Sequence, residues 1–189
     1  MKAILMSIKP QHVANILNEL KTLEIRKRFP KDYVGWVYIY CTKQSNLFKS
    51  YIKMGYYINR STADDLEYNG KGRVVARFWC DKVDNYANGS KIAFENGTYI
   101  FGTNADFETI LKPSCLTEDE LYDYCEDLCF CAIHITKLEI FDYPKEISVF
   151  GNLCTNNCER CKYNNEYDIC NHAYKPLTHA PQSWCFIEI

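Results

Sequence analysis

The stretch "ELKTLEIRKRFP", residues 19–30, decides how the chain is read. Within it Leu23 and Ile25 alternate with Glu24 and Arg26, the two-residue period of a strand with one buried face. Glu24, Arg26 and Arg28 then share the opposite face, and Lys21 stands just ahead of them. A carboxylate among cations on one side of a short strand has two readings. The charges meet water, as on any half-exposed strand, or they line a site.

Before this stretch, "AILMSIKP" reads as a strand stopped by Pro10, and "QHVANILNELKT" as a short amphipathic helix with Val13, Ile16, Leu17 and Leu20 on one face. After it, "VGWVYIYCT" is apolar, aromatic and β-branched enough for a buried strand, and "GRVVARFWCDKV" supplies another. Residues 43–70 between them are polar and tyrosine-rich and read as an insertion. A second insertion, near 85–112, has turn signals at "NGS" and "ENG" that suggest a hairpin. "LTEDELYDYCEDL" places Thr117 three residues before Glu120, the capping-box signature of a helix start. "CAIHITKLEIFDYP" reads as a bent strand and "QSWCFIEI" as a closing one. The order predicts one α+β domain over residues 1–189, mainly β: a small curled sheet or barrel carrying two or more short helices.

With 47% apolar and 15% aromatic residues, the chain has the material for a packed core, which excludes a disordered tail. The net charge of −2 is unevenly spread. Residues 1–112 hold 17 Lys and Arg against 11 Asp and Glu, whereas residues 113–189 hold 5 against 13. A basic first part favours an anionic guest. No apolar run approaches the roughly 20 residues of a membrane span. The opening "MKAILMSIKP" is too soon broken by charge for a signal peptide, so a reducing cytosol is the expected location. There the 11 cysteines read as thiols or metal ligands rather than a disulfide framework.

Four of them, Cys154, Cys158, Cys161 and Cys170, crowd the polar loop over residues 152–172. Thiolates at this density can surround one tetrahedral ion, and a loop with so little to bury gains order from such a cross-link. Soft ligands point to a structural Zn2+, with His172 able to replace one cysteine. The alternative is a loop of free thiols. The other cysteines read as small core residues, and His134 in "CAIHI" as structural.

The sequence resembles the ASCH domains, relatives of the PUA fold. Their motif, G-x-K-x-x-E-x-R, is matched here by Lys21, Glu24 and Arg26, with Glu19 in place of the glycine. The element order and the closing "PQSWCFIEI" are similar to longer ASCH proteins of phages and mobile elements, some with a cysteine-rich loop before the last strand. The resemblance implies a bacterial or phage-infected cell, a small β-barrel, and a cleft beside the first helix lined by the motif.

In such a pocket Lys21 and Arg26 can hold a phosphate, and Glu24 can accept from an exocyclic amine. Trp36, Tyr38 and Trp79 offer rings for stacking, and Lys27, Arg28, Lys31, Arg73 and Arg77 a track for a backbone. The expected function is a nucleic-acid-binding module, RNA ahead of DNA, or a receptor for a nucleotide-like small molecule, with Lys21, Glu24, Arg26, Trp36 and Arg77 as contacts. The alternative is a small hydrolase of modified nucleosides or RNA, with Lys21 and Glu24 as its acid–base pair. The acetylcytidine amidohydrolase branch, however, uses a threonine where this chain has Glu24.

Overall fold

A computed structural model describes residues 2–43, 72–88, 98–101, 107–125, 129–153 and 174–189. The first insertion and the four loop cysteines fall outside the described residues. Among those described, the fold is mainly β with short helices, as expected. Its strands are β1 (Lys2–Ile8), β2 (Leu23–Arg26), β3 (Gly35–Cys41), β4 (Val74–Cys80), β5 (Val83–Asn88), β6 (Thr98–Phe101), β7 (Phe130–His134), β8 (Thr136–Lys145), β9 (Gly151–Leu153), β10 (Tyr174–Pro176) and β11 (Trp184–Glu188). They form two sheets rather than one closed barrel. The larger has the order β10-β9-β11-β1-β3-β4-β8, the smaller β2-β7-β5-β6.

The main core lies on one face of the larger sheet. Ile4, Met6 and Ile8 of β1 and Val37 and Ile39 of β3 pack there with Val13, Ile16 and Leu17 of α1 (Pro10–Leu17) and with Ile133 of the smaller sheet. Each such side chain contributes about 1.5–3 kcal/mol on burial, which is why the apolar stripe of α1 docks. A second cluster, with Leu23, Ile25, Ile110, Leu121 and Phe130, covers the far face of the smaller sheet. A third, with Leu5, Tyr38, Tyr40, Phe150 and Ile187, covers the far face of the larger one.

Three local outcomes differ from expectation or refine it. First, α1 ends at Leu17, short of the periodic stretch. Leu20 N–H bonds to Asn15 O and Glu19 N–H to Ile16 O, each at 2.9 Å, the paired bonds that close a helix through a left-handed residue. That residue is Glu19, at φ +59°. It stands where the ASCH motif has its glycine, and the backbone explains that preference. Second, β5 and β6 pair in parallel, Asn85 opposite Thr98, so these two strands are not the two arms of one hairpin, which would be antiparallel; the turn signals between them, over residues 89–97, lie outside the described residues. Third, the bend in "CAIHITKLEIFDYP" is a change of sheet. β7 pairs with β2 and β5, β8 pairs with β4, and Ile135 alone separates them.

Candidate functional site

The register of β2 decides where its charges go. Glu24 lies opposite Ile133 of β7, so the two share a face, and Ile133 belongs to the main core. Glu24 therefore points into the space between the sheets, at its edge, and is 4% exposed. Leu23 and Ile25 point the other way, into the second cluster. A lone carboxylate in such a place would cost several kcal/mol. Two cations answer it. Arg26 Nη2 lies 3.1 Å from Glu24 Oε1, and Lys21 Nζ lies 3.4 Å from Oε2.

Both cations are anchored in turn. Lys21, 2% exposed, donates from Nζ to Ser114 O at 2.5 Å, and Arg26 donates from Nη2 to Ser7 O at 2.6 Å. Ser114 ends a helical turn, Lys112–Ser114, that follows a π-helical segment, Phe107–Leu111. The same turn accepts Thr22 N–H at Pro113 O, 2.8 Å. The closing turn of α1 aims the chain so that Lys21 arrives at this support. Burial pushes the Glu24 carboxyl up, but Lys21, Arg26 and more weakly His12 outweigh it and hold the group below its ordinary value. Glu24 is thus a buried carboxylate anion at neutral pH.

The three residues line a cleft of about 590 Å³ between the end of β1, the start of α1 and α2 (Glu118–Tyr124). The expected capping box forms at the head of α2. Glu120 N–H donates to Thr117 Oγ1 at 3.2 Å, and Thr117 N–H to Glu120 Oε2 at 2.9 Å. This turns Glu120, Asp123 and Tyr124 to the cleft wall. His12 and Thr42 complete it. Burial, then the nearby Lys21, lowers the His12 imidazole below its ordinary 6.5, so the ring is neutral.

Among the described residues, four buried side-chain atoms have no hydrogen-bond partner: His12 Nδ1, Glu24 Oε2, Arg26 Nε and Thr42 Oγ1. All four residues line this one cleft. Orphaned buried polar atoms are rare because each costs about 1–3 kcal/mol, and here the residues that carry them are all in the lining of one cleft.

Trp36 and Arg77 are not brought to the cleft. On β3, Trp36 and Tyr38 alternate with Val37 and Ile39 and so face away from the main core. Arg77 lies over the Trp36 ring, 4.1 Å from its centroid, and donates from Nε to Glu139 Oε2 at 2.7 Å and from Nη1 to Tyr38 Oη at 3.1 Å. Trp79 meets Trp36 edge to face at 5.4 Å. These groups form a self-satisfied cluster on the outer face of the larger sheet. Conversely, His12 and Thr42 were not legible as site residues. The only signal was His12 on the polar side of α1, eleven residues before the start of β2. His134 pairs with Asp84, Nε2 to Oδ2 at 2.8 Å, outside the cleft.

Neither a family model nor a curated protein matches the sequence. Solved structures do match the fold. The ASCH protein of Zymomonas mobilis superposes with a TM-score of 0.53 at 13% identity, over 98% of this chain and 87% of its own. A point mutant of that protein gives 0.52 at 12% identity over the same shares. At such identity the likeness speaks of architecture alone, and it agrees with the mainly β topology and the short helices: the chain has an ASCH-type, PUA-like fold.

Proposed function

We propose that the chain is a non-catalytic binding module whose cleft receives one uncharged base-like group, carried by RNA or by a free modified nucleoside. The observation that carries this reading is that four residues lining one cleft each hold a buried polar atom without a hydrogen bond. Glu24 Oε2 suits an amino group, as carboxylates accept from cytosine N4, while Arg26 Nε is a donor for a ring nitrogen or carbonyl. Lys21 and Arg26 are committed to Glu24 and to backbone carbonyls, which argues against their use as phosphate clamps. The charged lining is balanced as well, Lys9, Lys21 and Arg26 against Glu24, Glu120 and Asp123.

Titration of isotope-labelled protein with cytidine, acetylcytidine and a short single-stranded RNA tests this. Amide shifts centred on Ser7, His12, Glu24 and Arg26 are expected, with no ligand consumed. Shifts confined to another surface, or none, refute it. A second reading, hydrolysis of a modified nucleoside, is favoured by Thr42, a cleft residue whose hydroxyl has no hydrogen bond and is the kind of group that the amidohydrolase branch carries at the position of Glu24. Multiple turnover of acetylcytidine, lost in Thr42→Val, selects that reading. The cysteine loop is proposed to hold a structural zinc on Cys154, Cys158, Cys161 and Cys170. Elemental analysis then finds about one equivalent per chain, and metal-free purified protein sinks the proposal.

A further inference from the structure

His12 is the one cleft residue whose charge can change near neutral pH, and nothing in the packing fixes its role. Its Nδ1 is buried without a partner, and its Nε2 has only a 3.5 Å contact with the exposed Gln11 side chain. It is not among the buried residues of α1, which are Pro10, Val13, Ala14, Ile16 and Leu17. The charged groups around it come from every wall. Lys9 precedes its own helix, Lys21, Glu24 and Arg26 belong to the motif, and Glu120 and Asp123 to α2. With these six in balance, the cleft is close to neutral while His12 is neutral, and positive once His12 takes a proton.

We propose that His12 is a specificity-determining residue of the cleft: as a neutral imidazole it hydrogen-bonds an uncharged polar ligand through a ring nitrogen, and as an imidazolium it turns the cleft toward anions. This rests on the cleft being the binding site assigned above. The linkage has a definite sign. An uncharged guest displaces water from His12 and disfavours its charged form further, so the bound complex holds fewer protons than the free protein. Affinity for such a guest falls as pH drops through the range where the free imidazole titrates. An anionic guest stabilises the imidazolium, so its affinity rises over the same range.

The test uses two probes, cytidine and the methyl ester of cytidine 5′-monophosphate, whose phosphodiester keeps one charge throughout. Their affinities are measured by calorimetry from about pH 7.5 to about pH 5, across the range of a depressed imidazole. In the wild-type chain the ratio of cytidine to ester affinity is expected to fall by roughly tenfold. In His12→Gln, which keeps a polar side chain and cannot be charged, the ratio stays within about twofold. Thermal melts of that variant confirm that it folds.

A flat ratio in the wild type, or one that still moves with pH in His12→Gln, overturns the role of His12 and leaves the cleft assignment standing. Failure of both probes to bind the wild type at any pH overturns the cleft assignment and this inference with it.

Discussion

Two charge clusters in this molecule use the same residue types and reach opposite ends. In the cleft, Glu24 is held by Lys21 and Arg26 at the edge of the main core, and atoms of Glu24 and Arg26 are left without hydrogen bonds. On the outer face, Glu139 is held by Arg77 over the Trp36 ring, and the guanidinium is shared between Glu139 and Tyr38. The first cluster is dry, the second half in water: Glu24 and Lys21 side chains are 5% and 2% exposed, Glu139 and Arg77 48% and 28%. A cluster whose polar atoms are all served has no vacancy for a guest. One that is buried and underserved leaves hydrogen bonds unmet.

The sharpest way to break this contrast is to remove each carboxylate. Glu24→Gln strands two cations in a dry site and is expected to destabilise the fold by about 3–5 kcal/mol. Glu139→Gln exposes its partner to water and should cost no more than about 1 kcal/mol. Urea midpoints at constant m-value measure both, and equal losses would erase the distinction.

The cleft also carries a pH signature. Glu24 and His12 both titrate below their ordinary values in the folded chain, so the unfolded chain takes up protons first. Stability should therefore begin to fall as pH drops below about 6.5, through His12, and fall further in the acid range as Glu24 is protonated. In His12→Gln the first part of that decline should disappear. A stability curve rising from pH 7 toward pH 5, near the ordinary imidazole range, would contradict it.

A smaller effect lies just ahead of the cleft. Glu19 holds a left-handed conformation that glycine adopts freely, so Glu19→Gly should stabilise the chain by about 0.5–1 kcal/mol. Crystallography of the variant should show Lys21 unmoved. Loss of stability would mean that the Glu19 side chain makes a compensating contact. Smallest of all is Arg77→Lys, which keeps the charge but loses the guanidinium placed over the Trp36 ring and should cost about 0.5 kcal/mol.

Much of this was legible in "LEIR". The alternation told which side chains go to the second cluster and which to the cleft, and the capping box of α2 could be read from Thr117 and Glu120. The end of α1 was not, because Leu20 continues the apolar period while the backbone turns left-handed at Glu19. Only the position of the motif glycine carried that information. Trp36 and Arg77 share strands with core residues, but the face they occupy depends on which side α1 packs, a tertiary choice that alternation cannot make. The parallel β5–β6 pair was hidden for a related reason: "NGS" and "ENG" signal turns, and turn residues say nothing about the direction in which two strands finally lie.

The single residue between β7 and β8 bears on how the molecule breathes. Ile135 is pinned where the chain passes from one sheet to the other: its N–H bonds Thr22 O at 2.9 Å, His134 N–H bonds Lys82 O at 3.0 Å, and Thr136 Oγ1 donates to Trp79 O at 2.8 Å. A joint without slack leaves neither sheet able to loosen alone. Releasing β2, with Glu24 and Arg26 on it, frees an edge of β7, and any shift of β7 is passed within one residue to β8 and the larger sheet. The expected consequence is that the two sheets open as one cooperative unit, with the amide hydrogens of Ile25 and Ala76 exchanging at closely similar opening free energies when hydrogen exchange is measured. The floor of the cleft is then expected to keep the slow clock of the core.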